Sequence, residues 1–169
     1  LNDAESFGDT LSTKRDNHLR IMFQNINKLS SSAFTSKSRQ LVDCMVRHET
    51  DVFMMTEVGL YWPKLSSRDQ WRERTMGKLQ NQRSVFAYNA TEPHKTGWQQ
   101  YGGVGVCCTD EAVHRVTASG KDPSHLGRWA WTRLQGKHGI TVRLVTAYRP
   151  CESAGHSDSV WEQHIRHFK

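Results

Sequence analysis

Apolar residues in this chain fall into short runs, each stopped by polar side chains. Leu19, Ile21 and Phe23 alternate with Arg20, Met22 and Gln24, the two-residue period of a β-strand, and Asn25 and Asn27 follow. Asp51 to Thr56 (DVFMMT) is a nearly continuous apolar run, as expected of a strand covered on both faces, and it ends at Glu57. Thr141 to Ala147 (TVRLVTA) is a third run, closed by Tyr148. Between the first two, a serine-rich loop leads into a helix predicted over Ser36 to Thr50. Its inward stripe is Leu41, Val42, Met45 and Val46, with Ser36 or Ser38 as the cap. Strand, helix and strand in direct succession make a βαβ unit, which requires the first two strands to be parallel.

Further strands are predicted at Ser84 to Tyr88, Tyr101 to Cys108, Ala112 to Thr117 and Arg128 to Gln135. The last of these pairs as a hairpin with Thr141 to Ala147 across a Gly-Lys-His-Gly connection. Ser67 to Gln80 has weak helical character. Trp161, Ile165 and Phe168 recur at helical spacing, so a final helix starting near Asp158 is expected to run on past Lys169. On that pattern the chain reads as a piece of something longer. Residues 1 to 18 are poor in large apolar groups and read as a disordered lead-in. Residues 19 to 169 read as one domain without repeats or an internal linker.

Composition narrows the chemistry only a little. The 169 residues carry a formal charge of +6, which favours an anionic partner such as nucleic acid. The basic residues are spread along the chain rather than blocked together. No apolar stretch is long enough for a membrane-spanning helix, and no secretory signal is visible at the start. The four cysteines, Cys44, Cys107, Cys108 and Cys151, lack paired ligand spacing, so a zinc site and a disulfide framework are both disfavoured. Cys107 and Cys108 are adjacent in a predicted strand and must point to opposite faces. The nine histidines form no ligand cluster and read as surface residues.

The strand ends carry the functional reading. Polar residues are expected wherever strands reach the surface. Yet a carboxylate (Glu57), two amides (Asn25, Asn27) and a phenol (Tyr148) at successive downstream ends would converge on one crevice if the strands share a sheet, where α/β folds usually bind ligands. A lone carboxylate among oxygen-rich neighbours suits Mg²⁺, which keeps several waters and takes one or two carboxylates.

In this order and spacing the runs resemble the endonuclease/exonuclease/phosphatase (DNase I-like) superfamily. Leu19 to Asn27 (LRIMFQNIN) is similar to its first motif, and Asp51 to Glu57 (DVFMMTE) to the strand that ends in a metal-binding glutamate. Tyr101 to Gly105 (YGGVG) resembles its glycine-marked strand start, and Leu144 to Pro150 (LVTAYRP) its Tyr-x-Pro strand end. Asp122 to Trp131 (DPSHLGRWAW) looks most like retroelement-type members. The resemblance implies an α/β fold, a two-sheet αββα sandwich whose C-terminal part is missing here. It implies that Glu57 holds Mg²⁺ or Mn²⁺ with support from Asn27. Asn25 would hold the scissile phosphate or a water on the metal, and Tyr148 would donate to a phosphate oxygen. Tyr101, Arg128 and Arg149 become candidates for phosphate or sugar contacts, against the plainer reading of each as an ordinary surface residue.

Three departures stand out. Lys28 occupies a position that is usually glycine. Glu57-Val58-Gly59 replaces the Glu-Thr-Asn of many retroelement-type members. The later Asp-x-Asn and Asp-His motifs, which would supply the water-activating base, are absent. The implied activity is Mg²⁺-dependent DNA cleavage by a nuclear protein, with fusion to a reverse transcriptase possible in the parent. An RNA nuclease, a phosphatase acting on small inositol or lipid phosphates, and a catalytically inactive nucleic-acid-binding remnant are the alternatives.

Overall fold

The computed structural model describes residues 12–75, 77–79, 81–91 and 97–149. Its elements are β1 (Ile21–Asn25), α1 (Ser36–Arg47), β2 (Val52–Thr56), α2 (Trp71–Thr75), β3 (Gln82–Ala87), β4 (Val104–Thr109), α3 (Asp110–Arg115), β5 (Val116–Lys121), β6 (Trp129–Gln135) and β7 (Thr141–Ala147). The first four strands form one sheet in the order β1-β2-β4-β3, and the last three form a second in the order β5-β6-β7. β1 and β2 are parallel, as the βαβ unit requires. β6 and β7 pair antiparallel from Trp129 with Ala147 to Gln135 with Thr141, the predicted hairpin.

β2 shows why the two sheets stack. All five of its residues are buried. Side chains alternate across a strand, so Phe53 and Met55 enter a core with Leu41, Val42 and Met45 of α1, while Val52 and Met54 enter a second core with Val104, Val106, Ala130 and Leu134. The adjacent thiols of β4 divide in the same way. Cys107 lies on the helix side, where Trp71 Nε1 donates to its Sγ at 3.2 Å, and Cys108 lies between the sheets. Thr146 of β7 is buried and donates from Oγ1 to the Met55 carbonyl at 3.4 Å, a direct tie between the layers.

Several expectations are corrected. In β1 it is Met22 that packs on the helix-side core, while Ile21 and Phe23 stand 46% and 60% exposed on the edge of their sheet. Helix α1 is capped by Thr35, whose side chain accepts from Ser38 N, and neither Ser36 nor Ser38 takes that role. Ser38 is instead buried, where its hydroxyl accepts from Arg74 at 3.2 Å. Val46 faces solvent. The helix stops at Arg47 because Glu49 N donates to Val46 O and Thr50 N to Met45 O, both at 3.0 Å. That pair of bonds is a Schellman motif. Glu49 sits at its left-handed position with φ +46°, where glycine is favoured. The predicted strand over Ala112 to Thr117 is helix α3 followed by β5. Asp110 and Glu111 in its first turn and His114 and Arg115 in its last match the helix dipole.

Residues 12–18 are held rather than loose. Lys14 Nζ bonds Asp51 Oδ1 at 2.6 Å, and the Ser12 carbonyl accepts from Arg20 at 2.6 Å. Residues 1–11 and the expected final helix around Trp161, Ile165 and Phe168 lie outside the described residues. On the outer face of the second sheet Arg143 stacks 4.4 Å over Trp131, and Val145 is exposed.

Two outcomes test this packing. Glu49→Gly should raise the unfolding free energy by roughly 0.5–1 kcal/mol, read as a higher urea midpoint at unchanged slope, because the left-handed cap no longer carries a side chain. Burial pushes the Cys107 thiol up to about 12 and raises that of Cys108. Both should therefore stay protonated and resist alkylation at pH 8 until the protein unfolds, whereas the partly exposed Cys44 is modified in the native state.

Candidate functional site

The polar ends of β1 and β2 meet through their backbones before their side chains do. Past the last ladder pair, Asn25 with Thr56, the two segments stay bonded: Ile26 N to Thr56 O at 3.0 Å, Lys28 N to Glu57 O at 2.7 Å and Leu29 N to Val58 O at 2.9 Å. On the other side Val58 N donates to Gly103 O at 3.0 Å and Gly59 N to Gly102 O at 2.8 Å, so the segment leading into β4 joins the same unit. Asn27, Lys28, Glu57, Gly59, Gly102 and Gly103 all take positive φ values, between +43° and +82°. Such a concentration of left-handed residues, three of them not glycine, persists only where the surroundings over-determine it, and functional sites are where it clusters.

This backbone brings Asn25 and Glu57 into contact. Asn25 Nδ2 donates to Glu57 Oε1 at 2.9 Å, and Asn25 Oδ1 accepts from Asn27 N at 3.0 Å. The amide is thereby oriented, with its NH₂ toward the carboxylate. Glu57 is half-buried, and Asn25 and Asn27 are exposed. Lys37 reaches in from α1 to the Asn27 carbonyl at 2.7 Å.

Tyr148 joins from the second sheet. Its N–H donates to the Arg128 carbonyl at 2.8 Å, which continues the β6–β7 ladder by one residue. Its ring lies against Gly102, where a Cβ would stand 3.2 Å from the ring edge and 3.6 Å from an Arg128 guanidinium nitrogen. Gly102 therefore lets the phenol and the guanidinium approach the segment that carries Glu57. Arg128 is 5% exposed, so the plain surface reading is wrong for it. Burial pulls its guanidinium down to about 10, opposed by Tyr148 and Asp122, and it stays charged at neutral pH as a cation behind the phenol.

Two residues that place Arg128 were not singled out from the sequence. Asp122 Oδ2 accepts from Arg128 N at 3.0 Å, and Oδ1 accepts from Ser124 N at 2.9 Å and its hydroxyl at 2.5 Å, which closes the loop before β6. The signal was available, since Asp-Pro-Ser is a turn in which an Asp side chain bonds the backbone two residues on. Gly127, at φ +73°, packs on the chain at Tyr88 and Asn89, where a Cβ would stand 2.4 Å from the Tyr88 carbonyl carbon. Tyr101 is 77% exposed, with Lys28 Nζ 4.3 Å from its ring centre, and Arg149 is also exposed.

A cavity of about 430 Å³ lies at the other end of the first sheet, lined by Lys14, His18, Glu49, Asp51, Glu111 and Arg115. Its Asp51 carboxylate is already taken by Lys14 and by Arg20 N at 2.6 Å. It is a polar seam where the N-terminal segment meets the sheet.

Two solved structures superpose on this chain. An AP endonuclease from Archaeoglobus fulgidus superposes with a TM-score of 0.54 over 89% of this chain at 16% identity. An endonuclease/exonuclease/phosphatase family protein from Leptotrichia buccalis superposes with a TM-score of 0.51 over 78% of this chain at 14% identity. The chain has their fold. It is a mixed α/β, two-sheet DNase I-like sandwich, as the resemblance of the motifs implied. The chain spans about half the length of each, 49% and 53%. No family model and no curated protein matches it.

Gly127→Ala tests how Arg128 is seated. A methyl group pressed into the Tyr88 backbone at a left-handed φ should cost roughly 2 kcal/mol or more in urea unfolding, well beyond an ordinary surface change.

Proposed function

We propose that the chain carries part of the active site of a divalent-metal-dependent phosphodiesterase, and that its substrate is DNA, cleaved as by retroelement-type endonucleases. The observation that carries this reading is the Asn25–Glu57 hydrogen bond, made at neighbouring parallel strand ends on a left-handed backbone. Tyr148 and the buried Arg128 approach the same unit through Gly102. A shared fold at this level of identity leaves the substrate open, so the reading rests on these residues.

The donor set fits a hard cation. Glu57 offers a carboxylate and Asn27 an exposed amide oxygen, and among the described residues no three carboxylate, imidazole or thiol groups cluster as a closed cage would need. One carboxylate with neutral oxygens and room for water matches Mg²⁺ or Mn²⁺ rather than zinc. Glu57 and Asn27 would hold the ion, and when bound it would polarise a phosphoryl oxygen. Asn25 orients the Glu57 carboxylate. The Tyr148 hydroxyl is the donor for a phosphate oxygen on which charge builds, and Arg128, beside Gly102 with it, adds positive charge that favours the anion. Proton removal from the attacking water falls to a group outside this cluster.

Glu57→Gln in the full-length protein should reduce Mg²⁺-dependent cleavage of duplex DNA by about 100-fold or more while the melting temperature holds. Retained cleavage would refute the assignment. Parallel assays on RNA and on soluble inositol phosphates separate the nuclease reading from its alternatives. Salt-sensitive duplex binding without turnover in any of them would identify an inactive binding remnant.

A further inference from the structure

Gly59 and Lys28 form a contact that the proposed chemistry does not yet use. A Cβ at Gly59 would stand 2.8 Å from Lys28 Cγ and 2.9 Å from Lys28 Cβ, so the lysine stem occupies the space a side chain at position 59 would need. Lys28 holds φ +64°, an uncommon conformation for a residue with a long side chain, and its N–H is tied to the Glu57 carbonyl at 2.7 Å. The stem is therefore directed across the Glu57 segment rather than free to swing. Its ammonium ends 4.3 Å from the centre of the Tyr101 ring, itself 77% exposed. Among the described residues Lys28 makes no ion pair with a carboxylate. Stacking on an exposed ring is a weak hold for an ammonium, readily exchanged for an anion.

We propose that Lys28 is a phosphate-binding residue of this site, seated across Gly59 and resting on Tyr101 until a nucleic-acid strand arrives. This rests on the phosphodiesterase reading and names the part of the substrate it takes: a backbone phosphate next to the one held near Glu57. A strand suits the place better than a small phosphate, because the exposed Tyr101 ring beside the cation offers a flat face for a sugar or base. A lysine contact of this kind positions the strand without reading its sequence.

The test measures duplex binding by the full-length protein across a salt series in chelator, with Mg²⁺-dependent cleavage followed alongside. Lys28→Met keeps the stem over Gly59 and removes only the charge. It should weaken binding several-fold at low salt, flatten the plot of log affinity against log salt by about 0.9, and do so equally for duplexes of different sequence. Lys28→Arg should restore the wild-type slope, and all three proteins should melt alike. A Met variant with the wild-type slope overturns the proposal, as does a wild-type protein without duplex affinity. Absence of cleavage with the slope change intact overturns the phosphodiesterase reading and leaves the Lys28 contact standing.

Discussion

Two-sided burial of β2 is the constraint on which the rest of the structure depends. A strand whose five residues are all buried needs apolar cover above and below. The chain meets that need with α1 on one side and the second sheet on the other. Removing both faces from water stabilises each buried side chain by roughly 1.5–3 kcal/mol. The same burial sets the register of β4, since a slip by one residue would exchange the two cores. Because β2 cannot shift, its last residue is a rigid platform, and Glu57 is the first residue beyond it.

The site is built where regular pairing stops and bonding does not. Backbone hydrogen bonds continue from β1 through the Glu57 segment to Gly102 and Gly103, but through left-handed residues that turn the side chains away from the strand alternation. Asn25 and Glu57 thus face each other, where two side chains leaving extended strands would alternate faces. The second sheet contributes by position rather than by pairing. Tyr148 reaches Gly102 because Thr146, two residues earlier on the same face of β7, is bonded to the Met55 carbonyl.

Much of this was legible in the chain. β2 and β7 fall where the apolar runs predict them, and the parallel pairing of β1 with β2 follows from the helix between them. Cys107 and Cys108 take opposite faces as strand geometry demands. Errors arose where local pattern and tertiary cover diverge. The Ile21 and Phe23 alternation was real, but β1 is an edge strand and only Met22 meets the helix-side core. The α3 region lacks enough apolar period to separate a short helix from a strand, and its charge order was the better guide. Arg128 looked like one more surface cation because nothing in its immediate neighbours shows that Gly127 draws the loop onto Tyr88 and Asn89.

What the sequence determined by itself is the order of strands and the polar groups that end them, because alternation and termination depend on each residue and its near neighbours. Which of those groups touch was decided by the tertiary structure. Gly59 and Lys28 are far apart along the chain, and so are Gly102 and Tyr148, yet each pair packs at van der Waals distance because a missing Cβ leaves room for a partner. A glycine in sequence shows only that a side chain is absent. The fold shows what occupies the space, here a lysine stem at one position and a phenol with a buried guanidinium at the other.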